Sequence, residues 1–313
     1  MLKIYKTSSV EKKTKKVKKM TTDCWIDLIV PTQDEIDKVA NRTGIDKEVI
    51  TKLLDKEELP RVEQEENATV IVIDIPYLEA DGEHKYKTYP LGIIITNNNY
   101  IVTVSVKKTT LLNDFKRGKV KDFRTAKKTR FLIQILLKSA SNYLKALQEI
   151  NADIEKKEKV LKKSTENKDL IELLEIEKTL VYFMTSLKAN DTVLEKLSKG
   201  IVLPLYEGDI DLLEDAIIEN KQAIEMSSIY RDILSSVTDT YATIISNNLN
   251  IAMKFLAGAT IVLSIPTMIS SFLGMNVPLG KIANENTAFI LVLMLSVAVS
   301  LLVAYLLKKK NML

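Results

Sequence analysis

Residues 255–276 read FLAGATIVLSIPTMISSFLGMN, and this stretch decides the fold. Its first 19 residues, 255–273, contain no charged side chain, and the same holds for the 21 residues 287–307 near the end of the sequence. A helix needs about 20 predominantly apolar residues to cross the hydrocarbon core of a bilayer. Two such runs in succession predict two transmembrane helices and argue against two buried helices of a soluble core.

Lysine positions predict the orientation of these two spans. Residues 308–310 are all lysine and follow the second run directly, and Lys254 precedes the first. The connecting residues 274–286 hold one lysine, Lys281. Because Lys and Arg accumulate on the cytoplasmic side of membrane proteins, we expect both termini in the cytoplasm and the connecting loop outside. The sequence therefore predicts a multi-pass protein of the cell membrane, embedded in the lipid bilayer.

The part of the sequence before the first span is expected to be cytosolic. It starts with MLKIYK, which is not an apolar signal segment. The one cysteine, Cys24, allows no internal disulfide, which agrees with a reducing compartment.

Composition argues against nucleic-acid binding and against an enzyme. The net charge is +4, but the densest basic run, residues 12–19, lacks interleaved aromatic side chains. We interpret that run as a solvated strand edge or a membrane-facing patch. The single histidine, His84, and Cys24 cannot build a multi-ligand zinc site or a Cys–His catalytic pair. No phosphate-binding sequence of the type GxxxxGKS or GxxxxGKT occurs.

The N-terminal third alternates strand and helix signals, which predicts an α/β domain of mixed topology. Thr32 and Glu35 have the spacing of a capping box, so a helix should begin there and run to about Thr43. A second helix is expected over residues 46–57, and strands are expected over residues 24–30, 68–76, 91–96 and 100–106. Residues 80–82 supply turn chemistry.

Long helices follow this domain. Residues 122–198 are helical and highly charged in pattern, with a break near residues 164–167. Apolar residues at helical spacing then begin near Asp209, and no Gly or Pro interrupts them before Gly258. Residues 209–273 are therefore expected to form one helix about 95–100 Å long, of which only about a third fits in the bilayer. The rest is a stalk.

The expected fold class is an α+β membrane protein with a cytosolic α/β domain and a homopentameric, funnel-shaped assembly, the last of these implied by a family resemblance given below. Six segments are expected. The α/β domain covers residues 1–121, the long charged helices cover 122–208, and the stalk helix that continues into the first span covers 209–273. The outer loop covers 274–286, the second span 287–307 and the basic tail 308–313.

A polar stripe runs along the stalk helix and its span. Steps of four and three residues from Asp239 reach mostly small or hydroxyl-bearing positions: Thr243, Ser246, Asn250, Met253, Ala257, Thr260, Ser264, Thr267 and Ser271. Within hydrocarbon such a face must contact protein or water. Helix packing and a pore lining both explain small residues. Because packing does not explain Asp239 and Asn250 on the same face, we favour a pore, which requires a symmetric oligomer.

The C-terminal region resembles the CorA family of magnesium transporters. The resemblance rests on residues 250–256, Pro266-Thr267, Gly274-Met275-Asn276 and the second span with its lysine tail, and it extends weakly to residues 25–32 and 59–63. It implies a homopentamer in which five first-span helices line the pore and Gly274, Met275 and Asn276 form an outer selectivity ring. Asn276 amide oxygens and Gly274 carbonyls would hold hydrated Mg²⁺, the transported ion, since Mg²⁺ sheds its water reluctantly. Glu285 would attract cations at the pore mouth.

The resemblance also assigns positions along the pore. Asn250 corresponds to a pore asparagine below the membrane, Asp239 to a lower acidic ring, and Thr267 to a pore-lining threonine. Met253 and Leu256 correspond to a hydrophobic constriction that gates by dewetting. Ser264 and Ser271 replace the Met and Gly of better-known members, which makes the upper pore more polar here.

A regulatory Mg²⁺ site between subunits is implied as well. Asp215 corresponds to one half of the family's carboxylate pair. Lys52 stands at the usual acidic partner position, and Asp55 is the nearest carboxylate. Bound Mg²⁺ would offset carboxylate repulsion and hold the closed state.

Two other functions stay open at this point. The same fold could transport Co²⁺, Ni²⁺ or Zn²⁺, because the sequence does not determine which hydrated ion is preferred. A membrane-anchored tethering module with a coiled-coil stalk is the alternative of another class. That module would conduct no ions and would not need Asn276.

Overall fold

The computed structural model describes residues 1–7, 14–79, 86–161, 167–275 and 288–310. The chain divides into two compact units, Met1–Val237 and Thr238–Leu313. The first is an α/β unit and the second contains the apolar helical segments. Predicted features at residues 80–82, His84, Asn276 and Glu285, and most of the break near residues 164–167, lie outside the described residues.

The α/β unit is built around one seven-stranded sheet. The strands are β1 (Leu2–Thr7), β2 (Thr14–Val17), β3 (Trp25–Ile29), β4 (Arg61–Glu65), β5 (Ala68–Leu78), β6 (Tyr86–Thr96) and β7 (Ile101–Ser105). They lie in the order β2-β1-β3-β7-β6-β5-β4. The β3–β7 pair is parallel and the other described pairs are antiparallel, so the predicted mixed topology is confirmed.

Seven helices are described across the two units. They are α1 (Gln33–Thr43), α2 (Lys47–Lys52), α3 (Asn113–Lys116), α4 (Lys128–Leu161), α5 (Asn167–Ser198), α6 (Glu207–Leu273) and α7 (Ala288–Lys309). The predicted long helix is confirmed as α6, which continues through Pro266 without a break.

Helices cover both faces of the sheet because neighbouring residues on each strand point to opposite sides. One core contains Trp25, Ile71 and Ile93 from the sheet together with buried residues of α4, α5 and α6. The other contains Ile26 and Val70 with buried residues of α1 and the α2 region. These strands are therefore apolar on both sides, and they form the middle layer of three.

Local signals explain where the first helix lies, and a tertiary contact explains where the second ends. The Thr32 backbone N–H donates to Glu35 Oε2 at 3.1 Å, and α1 ends at Thr43, before Gly44, whose φ of 76° favours glycine. The prediction that the second helix runs to residue 57 is wrong, because α2 ends at Lys52. Leu53 is buried against Gly92 of β6, where a Cβ would lie 2.7–3.0 Å from the leucine side chain.

A buried ion pair joins the sheet to α3. Lys116 Nζ lies 2.7 Å from Asp27 Oδ2, and the two side chains are 13% and 1% exposed. The other carboxylate oxygen, Oδ1, accepts from the Thr103 hydroxyl at 3.0 Å, and Thr103 Oγ1 in turn accepts from Trp25 Nε1 at 2.9 Å. Asp27 Oδ1 is thus hydrogen-bonded, and Asp27 Oδ2 is engaged only through the ion pair with Lys116.

A second polar contact joins β5 to α5. The Asn190 side chain exchanges two hydrogen bonds with the Asp74 backbone, at 2.9 and 2.8 Å. The Ser186 hydroxyl donates to Asp74 Oδ2 at 2.6 Å. Burial raises the pKa of the Asp74 carboxyl, while the Ser186 hydrogen bond acts in the opposite direction.

Candidate functional site

Two helices carry segments that are long and apolar enough to cross a membrane. They are α6 and residues Phe289–Lys309 of α7, and only 11% of the most apolar stretch of each is buried within the chain. Core helices of soluble proteins bury most of such a stretch, so exposure on this scale fits hydrocarbon as the surroundings. The helix α6 contains the first predicted span, residues 255–273, and Phe289–Lys309 overlaps the second, residues 287–307.

One face of the α6 span is shielded inside its own unit. Gly258 and Ile265 are buried, and Val262 and Ile269 are half-buried, at spacings of four, three and four residues. On α7 the most buried position is Ser296, which is 4% exposed. Gly258 and Ser296 are both small, and small residues let membrane helices approach closely.

The polar stripe lies on a different face of α6. At 3.6 residues per turn, its centre is about 130° around the helix from the shielded face. Every stripe position is exposed: Asp239, Thr243, Ser246, Asn250, Met253, Ala257, Thr260, Ser264, Thr267 and Ser271. Leu256, the other predicted gate residue, is also exposed, at 66%. This polar face of the span is therefore uncovered within the chain.

Hydroxyl groups along the stripe point their protons back to the helix. Thr243 donates to Asp239 O at 3.0 Å, Thr260 to Leu256 O at 2.8 Å and Ser264 to Ile261 O at 2.8 Å. A hydroxyl that has donated its proton presents its oxygen lone pairs as acceptors. Water molecules bound to a cation are hydrogen-bond donors, so the stripe offers the groups that such waters need.

The C-terminal end of α6 is followed by Gly274. Its N–H donates to Ser270 O at 2.9 Å, which continues the helical pattern for one residue beyond Leu273. A Cβ at Gly274 would lie 3.3 Å from Ser270 O, a tight contact. Met275 is 53% exposed. Asn276 lies outside the described residues, so the predicted ring of residues 274–276 is described only as far as Met275.

The predicted regulatory residues do not form a metal site within one chain. Asp215, Asp55 and Lys52 are all exposed. The Asp55 carboxylate accepts from the Glu57 N–H at 3.0 Å. Among the described residues, no group of three His, Cys, Asp or Glu side chains is close enough to hold a metal ion. Any metal bound here would need ligands from elsewhere, such as another subunit.

Sequence reasoning missed one carboxylate near Asp215. Glu219 lies one turn further along α6, and burial raises its pKa, with the negative charge of Asp215 adding to the effect and Lys145 opposing it. Its Oε2 is buried without a hydrogen-bond partner in the described chain. The i, i+4 spacing of two acids on one helix face was the available signal.

Cys24 and His84 are the two residues for which the sequence predicted no zinc site and no Cys–His catalytic pair. Cys24 is buried, and burial raises the pKa of its thiol, which is the opposite of what a nucleophilic cysteine needs. His84 lies outside the described residues.

An α/β unit followed by a long helix and two membrane-spanning segments, the first with an uncovered polar face, defines the class of integral membrane transporters. The family model described as "CorA-like Mg2+ transporter protein" matches residues 22–309. This chain belongs to the CorA family.

Known relatives agree over most of the chain. The cobalt/magnesium transport protein CorA of Methanocaldococcus jannaschii is 28% identical over 296 residues, which are 92% of this chain and 90% of the relative. A Thermotoga maritima protein of the same name is 22% identical over 277 residues, 87% of this chain and 78% of its own length. The complete structure of the M. jannaschii CorA magnesium transporter superposes with a TM-score of 0.83 at 27% identity, covering 98% of this chain and 96% of that one.

Proposed function

We propose that this protein is a channel-type transporter that carries Mg²⁺ across the cell membrane along the α6 stripe. The observation that carries the proposal is the exposed polar face of the α6 span, which lies away from the face shielded in its own unit. Polar groups within hydrocarbon must contact protein or water. One stripe cannot enclose a channel, so the active form is a symmetric oligomer, and the family resemblance favours a homopentamer.

Selectivity resides at the outer end of the channel. Gly274 carbonyls and Asn276 amide oxygens form rings that accept hydrogen bonds from the waters of a hydrated ion, and Met275 completes the motif. Mg²⁺ holds its water shell tightly, so recognition through that shell avoids the cost of stripping it. Glu285 in the same outer loop adds negative charge that attracts cations.

Below this ring, the stripe conducts the ion and contains the gate. Thr260, Ser264, Thr267 and Ser271 offer acceptor oxygens in the upper part, and Asn250, Ser246 and Asp239 do so below the membrane. Met253 and Leu256 form a hydrophobic constriction that closes by dewetting. The membrane potential drives transport, since two charges falling through 100 mV release about 4.6 kcal/mol.

Cytosolic Mg²⁺ closes the channel through sites between subunits. Asp215 supplies one carboxylate and Asp55 supplies another from the neighbouring copy, in place of the usual acid where Lys52 stands. The exposure of both carboxylates leaves them accessible to a second subunit. This arrangement has both termini in the cytoplasm, as the lysine distribution indicates.

Co²⁺ is the second candidate ion, because both curated relatives are named cobalt/magnesium transport proteins. Transport of Ni²⁺ or Zn²⁺ and a purely tethering role are the remaining alternatives. Competition between these ions and Mg²⁺ for uptake discriminates among the transport functions.

The decisive experiment is Mg²⁺ uptake into proteoliposomes. Asn276→Ala should abolish uptake, and Asn250→Ala should reduce it strongly. Asn248→Ala is the matched control, since Asn248 is exposed on the same helix but lies about 160° around it from Asn250. Hexaammine cobalt, which mimics the hydrated ion, should block the wild type. Equal uptake by wild type and Asn276→Ala would refute the proposed selectivity ring.

A further inference from the structure

A cavity of about 650 Å³ opens in the α/β unit beside the first turn of α4. Three separate parts of the chain form its wall: the loop after β6 with Asn97 and Asn99, the start of α4, and the segment that leads into α6 with Tyr206. Small-molecule sites generally occupy about 300–1,000 Å³. The cavity is therefore large enough for a ligand the size of a mononucleotide, and it is distinct from the α6 stripe.

Two cations of the wall are held in place. Lys128 Nζ lies 2.9 Å from Asn99 Oδ1 and 3.5 Å from a carboxylate oxygen of Asp23, and its side chain is only 13% exposed. Arg130 Nη1 donates to Asp209 Oδ1 at 3.0 Å. Fixed side chains of this kind lose little conformational freedom when a ligand binds.

A third cation has no such partner. Lys127 lines the cavity and is exposed, and it makes no ion pair or side-chain hydrogen bond with any residue that the structure describes. The first turn of α4 contains no acidic residue that could balance this charge. The cavity therefore keeps an unbalanced positive charge where the free N–H groups of a helix start also favour an anion.

Thr129 points to a ligand independently of charge. The residue is only 7% exposed, yet it lines the cavity. Its hydroxyl has no hydrogen-bond partner within the described chain, and it is not among the side-chain atoms sealed from solvent. Because this hydroxyl has no protein partner and is open to solvent, a ligand oxygen in the cavity can pair with it.

Tyr206 adds an aromatic surface to the part of the wall formed by the segment that leads into α6. Its side chain is 65% exposed although it borders the cavity. Aromatic rings stack on the faces of nucleobases regardless of the base. A wall with cations and a hydroxyl at one side and a free ring at another suits a molecule with phosphates and a flat ring.

We propose that this cavity binds a small phosphate-bearing molecule of nucleotide size, with its phosphates at Lys127, Lys128 and Thr129 and its base on Tyr206. Binding at this site does not depend on ion transport, because none of these residues belongs to the stripe or to the outer loop.

Isothermal titration calorimetry on the full-length protein in detergent tests the proposal, in Mg²⁺-free buffer of low ionic strength. Inorganic tripolyphosphate and ATP should each bind once per chain, ATP more tightly, and adenosine should not bind. Lys127→Ala should weaken binding of both anions about ten-fold, as expected for one charge-assisted hydrogen bond. Thr129→Val should weaken both as well.

Two variants separate this site from general attraction of anions. Lys119→Ala removes an exposed lysine that precedes Lys127 in the sequence and lies outside this cavity, and it should leave both affinities unchanged. Tyr206→Leu should reduce ATP affinity to that of tripolyphosphate and leave tripolyphosphate unaffected. The proposal is overturned if neither anion binds at millimolar concentration, or if Lys119→Ala and Lys127→Ala weaken binding equally.

Discussion

Replacing Lys116 by methionine removes the positive half of the buried ion pair with Asp27. The pair is 2.7 Å long, and the carboxylate side chain is 1% exposed, so no water replaces the lost partner. Methionine keeps most of the apolar stem of lysine, and the loss is therefore mainly electrostatic. Removing one partner of a buried pair generally costs about 3–5 kcal/mol of unfolding free energy.

Urea unfolding followed by tryptophan fluorescence measures this effect. Trp25 is the only tryptophan in the sequence, and it is fully buried in the same hydrogen-bonded group. Lys119→Met is the matched control, because Lys119 is exposed in the same segment and its replacement should change stability by less than about 0.5 kcal/mol. A deficit below about 1 kcal/mol at pH 7 would refute the reasoning.

Three further predictions concern the gate, the regulatory site and pH. Met253→Ser should raise Mg²⁺ leak into proteoliposomes at millimolar Mg²⁺, because a polar constriction stays wet; a leak equal to that of the wild type would place the gate elsewhere. Asp215→Lys should weaken the protection that Mg²⁺ gives against protease, whereas Glu214→Lys, an exposed neighbour on a different side of α6, should not. Burial raises the pKa of Asp74, so the folded state binds its proton more tightly than the unfolded state and wild-type stability falls as pH rises above about 4. In Asp74→Asn, the contribution of this carboxyl to the fall in thermal midpoint between pH 4 and pH 7 should disappear. A pH profile equal to that of the wild type would contradict the raised pKa of Asp74.

Local sequence signals were sufficient to locate a helix when it is long or when its first residues form a capping box. The charge-free runs identify α7 and the end of α6, and the Thr32–Glu35 spacing identifies the start of α1. The strand β1 was missed because only Ile4 and Tyr5 are buried in it, and lysines flank them. Its pairing with β2 and β3 is decided by contacts distant in sequence.

Of the two candidate sites, the polar stripe was predictable from the sequence and the cavity beside α4 was not. The stripe could be read from sequence because all its positions lie on one helix and repeat every three or four residues. The cavity beside α4 could not, because its wall combines segments about 30 and 80 residues apart that only the fold brings together. The end of α2 at Lys52 was not predictable for the same reason, because it depends on a contact between Leu53 and Gly92 that only the folded sheet provides.

The participation of α6 in the core of the α/β unit has a consequence for biosynthesis. Leu213 and Ala216 of α6 are 3% and 0% exposed in the core that also contains the sheet residue Trp25. Since chains fold from the N-terminus as the ribosome extends them, this core stays open until α6 has begun to emerge. The apolar stretch that starts at residue 255 follows soon afterwards. A nascent chain therefore completes its soluble domain and presents its first span for membrane insertion almost together, and stalling just before residue 213 would leave an apolar surface open to aggregation.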